Sequence, residues 1–239
     1  MKQTLKRIIW IMFLTLLLLG VPWLSGMVAS VFNYETIDPD GAYAWITVHH
    51  IIQALIFLIL MAGLSRFQSL EFGFGWGNKE AGRRYLLSFA LIFSLYTAVT
   101  HTIIILTGSF QPFGYPLTAT NIFGQLGFQL LLSGPSEEII FRAFAMTMLA
   151  LLIKGRIVKG KVSAANMIAA VIFGLAHVSF SLVPFEASYQ LPQILYSIAL
   201  GLFYGDCYEK SRSMYYPMIM HSFTNVMMVG ISIILSFIL

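Results

Sequence analysis

Long apolar runs separated by short polar connections make up most of this chain. Crossing a hydrocarbon layer ~30 Å thick takes about 20 residues in a helix. The fourth run is overlong and contains Ser133-Gly134-Pro135, so it is either one span or a short entry segment followed by a helix. The pattern predicts an all-α fold, a polytopic transmembrane bundle of about seven to eight spans. The runs are Ile8–Val31, Ala44–Leu64, Tyr85–Thr107, Ile122–Ile153, Ser163–Leu182, Leu191–Tyr208 and Met214–Leu239.

The composition also predicts a membrane protein. Hydrophobic residues make up 58% of the 239 and charged residues 10%, whereas a soluble domain carries roughly 25% charged residues. These polar side chains are too few to cover a water-facing surface, so most of the surface must face lipid. The single cysteine, Cys207, excludes an internal disulfide and a multi-cysteine metal site.

The basic residues alternate from one connection to the next. The N-terminus and every second connection carry Lys or Arg, whereas Asn33–Tyr43, Gly108–Asn121 and Val183–Gln190 carry none. By the positive-inside rule the N-terminus is cytoplasmic, and these charges indicate a lipid bilayer rather than nucleic acid as the partner. The first run is longer than a secretory signal core, so we interpret it as an uncleaved anchor. Arg142 is the exception to the alternation, because it lies inside the fourth run.

Several ionisable side chains of the C-terminal half fall well inside predicted spans, among them Glu137, Glu138, Arg142, His177 and His221. A charged group at mid-bilayer costs about 2.5 to 3.5 kcal/mol even on lenient scales, so such groups usually pair and mark function. Glu138 and Arg142 are four residues apart with the acid first, which favours a local ion pair. We interpret this pair as mainly supporting, and a purely structural pair joining two helices is the alternative.

Glu137 differs from its neighbour. It lies about 100° around the helix from Glu138, so the two carboxylates cannot both face one arginine equally well. It follows Gly134-Pro135 near a predicted helix start, where the positive end of the dipole stabilises a carboxylate. A carboxylate in an apolar, partly dry site is suited to act as a general base. Glu137 is therefore the candidate for proton transfer.

The roles of the histidines are interpreted from the residues near them in the sequence. His221 and Asn225 share a helix face and can both donate hydrogen bonds to an oxyanion or a peptide carbonyl. His177 is a lone histidine on an apolar helix, for which a structural hydrogen bond is the alternative to a catalytic role. His50, with His49 and His101, lies in the first three spans without an acidic partner, so we expect a packing or interface role.

Three motifs, in this order, resemble the CPBP family, the CAAX proteases and bacteriocin-processing enzymes also called the Abi family. Glu137-Glu138 with Arg142 matches EExxxR, Phe173 with His177 matches FxxxH, and His221 with Asn225 matches HxxxN. The resemblance covers roughly residues 120–230. It predicts two parts, variable N-terminal transmembrane helices over 1–120 and a catalytic helical core over 121–239.

The resemblance implies an intramembrane endopeptidase related to CAAX prenyl endopeptidases. By this analogy Glu137 and His177 activate the attacking water, and His221 with Asn225 stabilises the oxyanion. Glu138 and Arg142 would then orient the site. The implied substrate is a membrane-associated or prenylated, CAAX-type peptide or protein. The implied location is an integral position in a bacterial or archaeal plasma membrane.

Two alternatives remain open. Glu137, His177 and His221 would also supply three ligands to a catalytic zinc ion, but the chain lacks the HExxH pair, and we expect no metal or other cofactor. The other alternative is non-catalytic: a bacteriocin-immunity or scaffold membrane protein, or a proton-coupled transporter. A transporter would more naturally show broken helices in two related halves.

Overall fold

The computed structural model describes residues 2–182 and 185–239. Three long helices come first, and their bounds agree closely with the first three apolar runs. A composite helix over residues 119–152 follows, and then two short hairpins and three more helices. The first three helices are α1 (Lys2–Ala29), α2 (Ala44–Phe67) and α3 (Lys79–Leu106).

The composite helix contains two π-helical segments and does not break. The prediction that Ser133-Gly134-Pro135 breaks this span is wrong, because the chain keeps a helical path through these residues. Pro135 has no N–H to donate to the preceding turn, and wide π-helical turns flank the short segment that it begins. In order, the pieces are α4 (Ala119–Phe128), π1 (Gln129–Ser133), α5 (Gly134–Glu138), π2 (Ile139–Met146) and α6 (Thr147–Leu152).

Two antiparallel hairpins flank the next helix. In the first, Arg156 pairs with Ser163. In the second, Ser179 pairs with Ser188 at the base of the hairpin. The elements are β1 (Arg156–Ile157), β2 (Val162–Ser163), α7 (Ala164–Leu175), β3 (Ser179–Leu182), β4 (Phe185–Ser188), α8 (Leu191–Ser211) and α9 (Tyr215–Ile238).

The prediction of a helical fifth span over Ser163–Leu182 is wrong beyond Leu175. His177, which we expected on that helix, lies in the turn that follows it. The His177 N–H bonds to the Gly174 carbonyl, while His177 Nδ1 lies 2.9 Å from the Phe173 carbonyl oxygen. The side chain thus takes the carbonyl that its own N–H would use in a longer helix, and the helix ends.

Small residues bring α7 and α8 close together. A β-carbon added at Gly205 would lie 2.0 Å from Asn166 Oδ1, and one at Gly201 would lie 3.2 Å from the Ala170 β-carbon. Asn166 Nδ2 also donates to the Leu202 carbonyl at 3.0 Å. Glycines four residues apart allow such close packing of helices in membranes. This contact fixes the end of α7, where Phe173 and His177 lie.

Among residues 2–182 and 185–239, four helices are long and apolar enough to cross a membrane. These are Thr4–Ala29, Ala44–Phe67, Lys79–Leu106 and Tyr215–Ile238. The 12 residues of α7 rise only about 18 Å, which is less than the ~30 Å of hydrocarbon. The molecule is therefore an all-helical integral membrane protein apart from its short hairpins. The number of spans and the cytoplasmic N-terminus stay predictions.

Two apolar clusters lie around the buried polar residues. One contains Phe57 of α2, Phe144 of π2 and Phe173 of α7. The other joins α3, α8 and α9 through Phe89 and Met220, among others. The helices of the N-terminal part pack directly on the composite helix, with α2 against π1, α5 and π2. The division of the chain at residue 120 stays a prediction.

Candidate active site

Glu138 is held by two basic side chains. Its Oε1 lies 2.9 Å from Nδ1 of His221, and its Oε2 lies 2.9 Å from Nε of Arg142. Glu138 and Arg142 are both fully buried. A carboxylate that bridges an arginine and an imidazole restricts the orientation of the ring. The predicted local pair is present, and it also reaches α9.

Arg142 makes unusual contacts for a buried arginine. Its guanidinium carbon lies 4.9 Å from the centre of the Phe173 ring and 5.8 Å from that of Tyr204. Such cation–π contacts stabilise a desolvated guanidinium. Within residues 2–182 and 185–239, Nη1 and Nη2 have no hydrogen-bond partner, and Nε is near Glu138 without an aligned hydrogen bond. The interaction with Glu138 is therefore mainly between charges.

Glu137 is the more accessible of the two adjacent carboxylates. Its side chain is 20% exposed, whereas that of Glu138 is 0% exposed. Glu137 Oε2 lies 3.6 Å from Nε2 of His221. His221 therefore stands between both carboxylates, with one ring nitrogen toward each. Of the pair, only Glu137 is placed to meet a water molecule.

His177 approaches this group through an aromatic ring. Its ring centre lies 5.1 Å from that of Phe173, and the same phenyl ring lies 5.9 Å from His221. Because a carbonyl can only accept, the bond from Nδ1 to the Phe173 carbonyl places the proton on Nδ1. Nε2 of a neutral His177 then carries a free lone pair. In the described part of the chain His177 forms no direct hydrogen bond or ion pair with Glu137.

Asn225 contacts the helix turn that precedes Glu137. Its Nδ2 donates to Ser133 Oγ at 3.0 Å. Gly134 lets the composite helix approach α9 here, because a β-carbon on it would lie 2.9 Å from the Ser222 nitrogen and 3.0 Å from the His221 β-carbon. The predicted shared face of His221 and Asn225 thus lies against residues 133–138.

Residues 119–227 match the family model described as type II CAAX prenyl endopeptidase Rce1-like. The match covers a little under half of the chain and shows a resemblance to this family. It runs from α4 into α9 and contains all three motifs, which confirms the predicted resemblance to the CAAX proteases. At the family level this match implies a protease. No curated protein and no solved structure matches the chain.

Glu137 and His221 are in contact although they lie at different distances from the ends of their helices. Counted from the ends of their helices at ~1.5 Å per residue, Glu137 lies about 22 Å deep and His221 only about 9 Å. The two helices end at different levels. The start of α9 is covered by the connection before α3, where Met214 N–H bonds to the Gly73 carbonyl and Asn78 N–H to the Ser211 carbonyl.

Sequence reasoning missed several side chains beside the motifs of the Rce1-like segment. The Tyr204 ring lies 5.2 Å from His221, and its hydroxyl bonds to Thr224 Oγ1 at 2.7 Å. Ser136 bonds to His50, a residue for which we expected only packing. In the sequence, only the spacing of Ser133 and Ser136, three residues apart beside Glu137, could have indicated polar contacts at this place. No spacing in the sequence points to Tyr204.

The described positions do not form the three-ligand set that a zinc enzyme needs. Among residues 2–182 and 185–239, no three His, Cys, Asp or Glu side chains are arranged to hold one metal ion. Glu137, His177 and His221 were the ligands expected in the zinc alternative. His221 bonds to Glu138 through Nδ1 and His177 bonds to a backbone carbonyl through Nδ1, so these two contacts do not decide between the zinc alternative and a metal-free site.

An apolar groove of about 490 Å³ lies beside the motifs. Ser222, which follows His221, lines it together with Pro135 of α5. Its other walls include Trp76 and Leu130, which are 52% and 53% exposed and open it to the surroundings. In a membrane this groove faces lipid and adjoins the polar residues.

Proposed function

We propose that this protein is an intramembrane endopeptidase that hydrolyses a peptide bond in a membrane-associated or prenylated, CAAX-type peptide or protein. The observation that carries the proposal is the contact between Glu137 and His221, 3.6 Å apart, within the Rce1-like segment. A partly accessible carboxylate facing an oriented imidazole is an arrangement that general acid–base catalysis uses.

The proposed first step is attack by water. Glu137, assisted by Nε2 of His177, takes a proton from a water molecule, and the water oxygen bonds to the peptide carbonyl carbon. The carbonyl electrons move to the oxygen and form an oxyanion. When the C–N bond breaks, these electrons re-form the carbonyl and the held proton passes to the leaving amine. No metal ion takes part in this scheme.

His221 and Asn225 are the proposed oxyanion donors. The Asn225 amide has two N–H groups, and Ser133 accepts only one of them. In the proposed state both ring nitrogens of His221 are protonated, so Nδ1 donates to Glu138 and Nε2–H is directed to the reacting side. The charges of Glu137, Glu138, Arg142 and this His221 then sum to zero, which suits a site of low dielectric.

The apolar groove supports a lipid-attached substrate. It opens beside Trp76 and Leu130 and ends beside Ser222 and Pro135, so a hydrocarbon chain lying in it would bring an attached peptide to Glu137. Its walls are mostly apolar side chains, as expected for a hydrocarbon ligand. We further propose that the protein acts in a bacterial or archaeal plasma membrane.

The test is cleavage by the full chain in liposomes. A farnesylated peptide with a CAAX-type end and the same peptide without lipid are incubated with the wild type, and products are identified by mass spectrometry. We expect cleavage of the lipidated peptide, and its loss in Glu137→Gln and His177→Ala. Glu35→Gln and His101→Ala are matched controls, since Glu35 is exposed and His101 bonds only to the carbonyl of Thr97 on its own helix.

Two results would count against the proposal. Wild-type rates in both Glu137→Gln and His177→Ala would exclude the proposed water activation. No cleavage by the wild type across a broad panel of membrane peptides would favour the non-catalytic immunity or scaffold alternative.

A further inference from the structure

His50 of α2 lies on the far side of the helix turn that carries Glu137. It is buried, with 6% of its surface exposed, and its ring packs edge-on against Phe128 at 5.0 Å. Nδ1 lies 2.6 Å from Ser136 Oγ and 3.0 Å from Gln53 Nε2. The residue lies outside the segment that matches the Rce1-like family. It nevertheless contacts that segment one residue before Glu137.

Hydrogen bonds continue from Ser136 to α9. Ser136 Oγ lies 3.1 Å from the Ser133 carbonyl oxygen, and Ser133 Oγ accepts from Asn225 at 3.0 Å. Gln53 Nε2 can only donate, so His50 Nδ1 accepts and the Ser136 hydroxyl donates its one proton to it. The histidine therefore fixes the Ser136 hydroxyl, which remains next to the Ser133 carbonyl. The contacts therefore link His50 to Asn225 through two serines.

Two neighbouring helices restrain this turn, α9 through its close approach to Gly134 and α2 through His50. The helix changes from π to α between Ser133 and Gly134, so the backbone here lacks the continuous hydrogen-bond pattern of a regular helix. A side chain bonded from a neighbouring helix therefore has a direct effect on the direction of Glu137 and on the Ser133 hydroxyl. Loss of His50 leaves Ser136 able to bond to Ser133 on its own helix, so folding depends on it less than positioning does.

We propose that His50 is a positioning residue for the catalytic groups. It holds the 133–136 turn so that Ser133 keeps one Asn225 N–H occupied and the other directed at the substrate, while Glu137 faces His221. The proposal rests on the proposed peptidase function. It assigns the N-terminal helices a part in the site, through α2.

The test separates positioning from folding by kinetics. Cleavage of the farnesylated peptide is measured for His50→Phe, His50→Asn, Ser136→Ala and the double variant His50→Phe/Ser136→Ala. We expect His50→Phe to lower kcat about tenfold and to leave KM within about twofold. Asn places an amide near the position of Nδ1, so His50→Asn should restore most of kcat. The double variant should be no slower than the slower single variant, because both changes break one contact.

Thermal unfolding needs no substrate, so it tests the link between His50 and Asn225 even if the proposed peptidase function is wrong. His50 and Asn225 share no hydrogen bond in the described chain, so their effects on the thermal midpoint should add if no link exists. We expect the double variant His50→Phe/Asn225→Ala to deviate from additivity. Additive midpoints would overturn the link even if the wild type cleaves nothing.

Two kinetic results would contradict the positioning role of His50. Unchanged kcat in His50→Phe, or equal losses in the Phe and Asn variants that follow the thermal midpoint, would overturn positioning and leave a packing role. His101→Phe is the matched control, since its ring bonds to its own helix at the Thr97 carbonyl, and it should keep the wild-type kcat.

Discussion

Glu138 Oε1 and His221 Nδ1 lie 2.9 Å apart, so one buried carboxylate joins the composite helix to α9. The same carboxylate lies beside Arg142, which is four residues later on its own helix. The motif residue Arg142 therefore acts on the charge of His221 through Glu138, and both residues also contact the ring of Tyr204. This relationship separates the two adjacent glutamates, because Glu138 is buried between two basic side chains, whereas Glu137 is 20% exposed and is the carboxylate that we propose for proton transfer.

Arg142→Leu should destabilise the protein strongly. It leaves the Glu138 charge buried with His221 as its remaining partner, and removing one member of a buried pair costs about 3 to 5 kcal/mol. The measurement is reversible unfolding in mixed detergent. Arg156→Leu is the matched control, because Arg156 and Glu209 form a partly exposed pair at 3.4 Å that should contribute about 1 kcal/mol or less. Equal losses in both variants would contradict the supporting role of Arg142.

Gly134→Ala should impair catalysis more than folding. The added β-carbon would lie 2.9 Å from the Ser222 nitrogen, so α9 must move away and take His221 with it. A displacement of about 1 Å in a catalytic group can reduce the rate roughly a hundredfold. The measurement is kcat for the lipidated peptide. Gly127→Ala is the control, since Gly127 is also helical and has open space around it; equal activity of the two variants would show that the close approach is unimportant.

Local geometry was predictable from the sequence, and contacts between helices were not. The pair of Glu138 and Arg142 follows from a spacing of four within one helix. The contact of His50 with Ser136 joins residues 86 positions apart, and it depends on the rotation and depth of two helices, which periodicity does not fix. The end of α7 was missed because the apolar run continues past Leu175 into the hairpin that begins at Ser179, so hydrophobicity does not mark the helix end.

Asp38 should make stability depend on pH. Burial raises the pKa of Asp38, but hydrogen bonds from the backbone N–H groups of Ala44, Tyr43 and Ala42, 2.7 to 2.8 Å long, outweigh burial and lower the pKa below its ordinary value. A lowered folded-state pKa means that the full stabilising contribution of the carboxylate is present above its unfolded-state pKa of about 3.9. This contribution is lost as the pH falls below that value and through the lower folded-state pKa.

The measurement for Asp38 is the thermal midpoint of unfolding from near-neutral pH down to about pH 3. Asp38→Asn should cost about 1 to 2 kcal/mol near neutral pH, because it weakens the cap of α2. It should also make the acid-side fall shallower than in the wild type. Glu35→Gln, at an exposed position of the same connection, is the control. An unchanged acid slope in Asp38→Asn would exclude Asp38 as the cause.

Chelators should leave peptide cleavage unchanged. The proposed water activation uses Glu137 and His177 without a metal ion. The measurement is the cleavage rate of purified protein before and after phenanthroline or EDTA, together with metal analysis of the same sample. Loss of activity with chelator and its return with zinc would establish the zinc-dependent alternative and replace the proposed mechanism.

The hydroxyl and the ring of Tyr204 should contribute differently to stability and to kcat. The hydroxyl bonds to Thr224 Oγ1, which itself donates to the Met220 carbonyl, so Tyr204→Phe loses one buried hydrogen bond. This change should cost about 1 kcal/mol of stability and leave kcat unchanged. Tyr204→Leu also removes the ring that lies 5.2 Å from His221 and 5.8 Å from the Arg142 guanidinium. It should lower both stability and kcat, as measured by unfolding and by peptide cleavage. A loss of kcat in Tyr204→Phe equal to that in Tyr204→Leu would instead place the hydroxyl among the groups that act on the substrate.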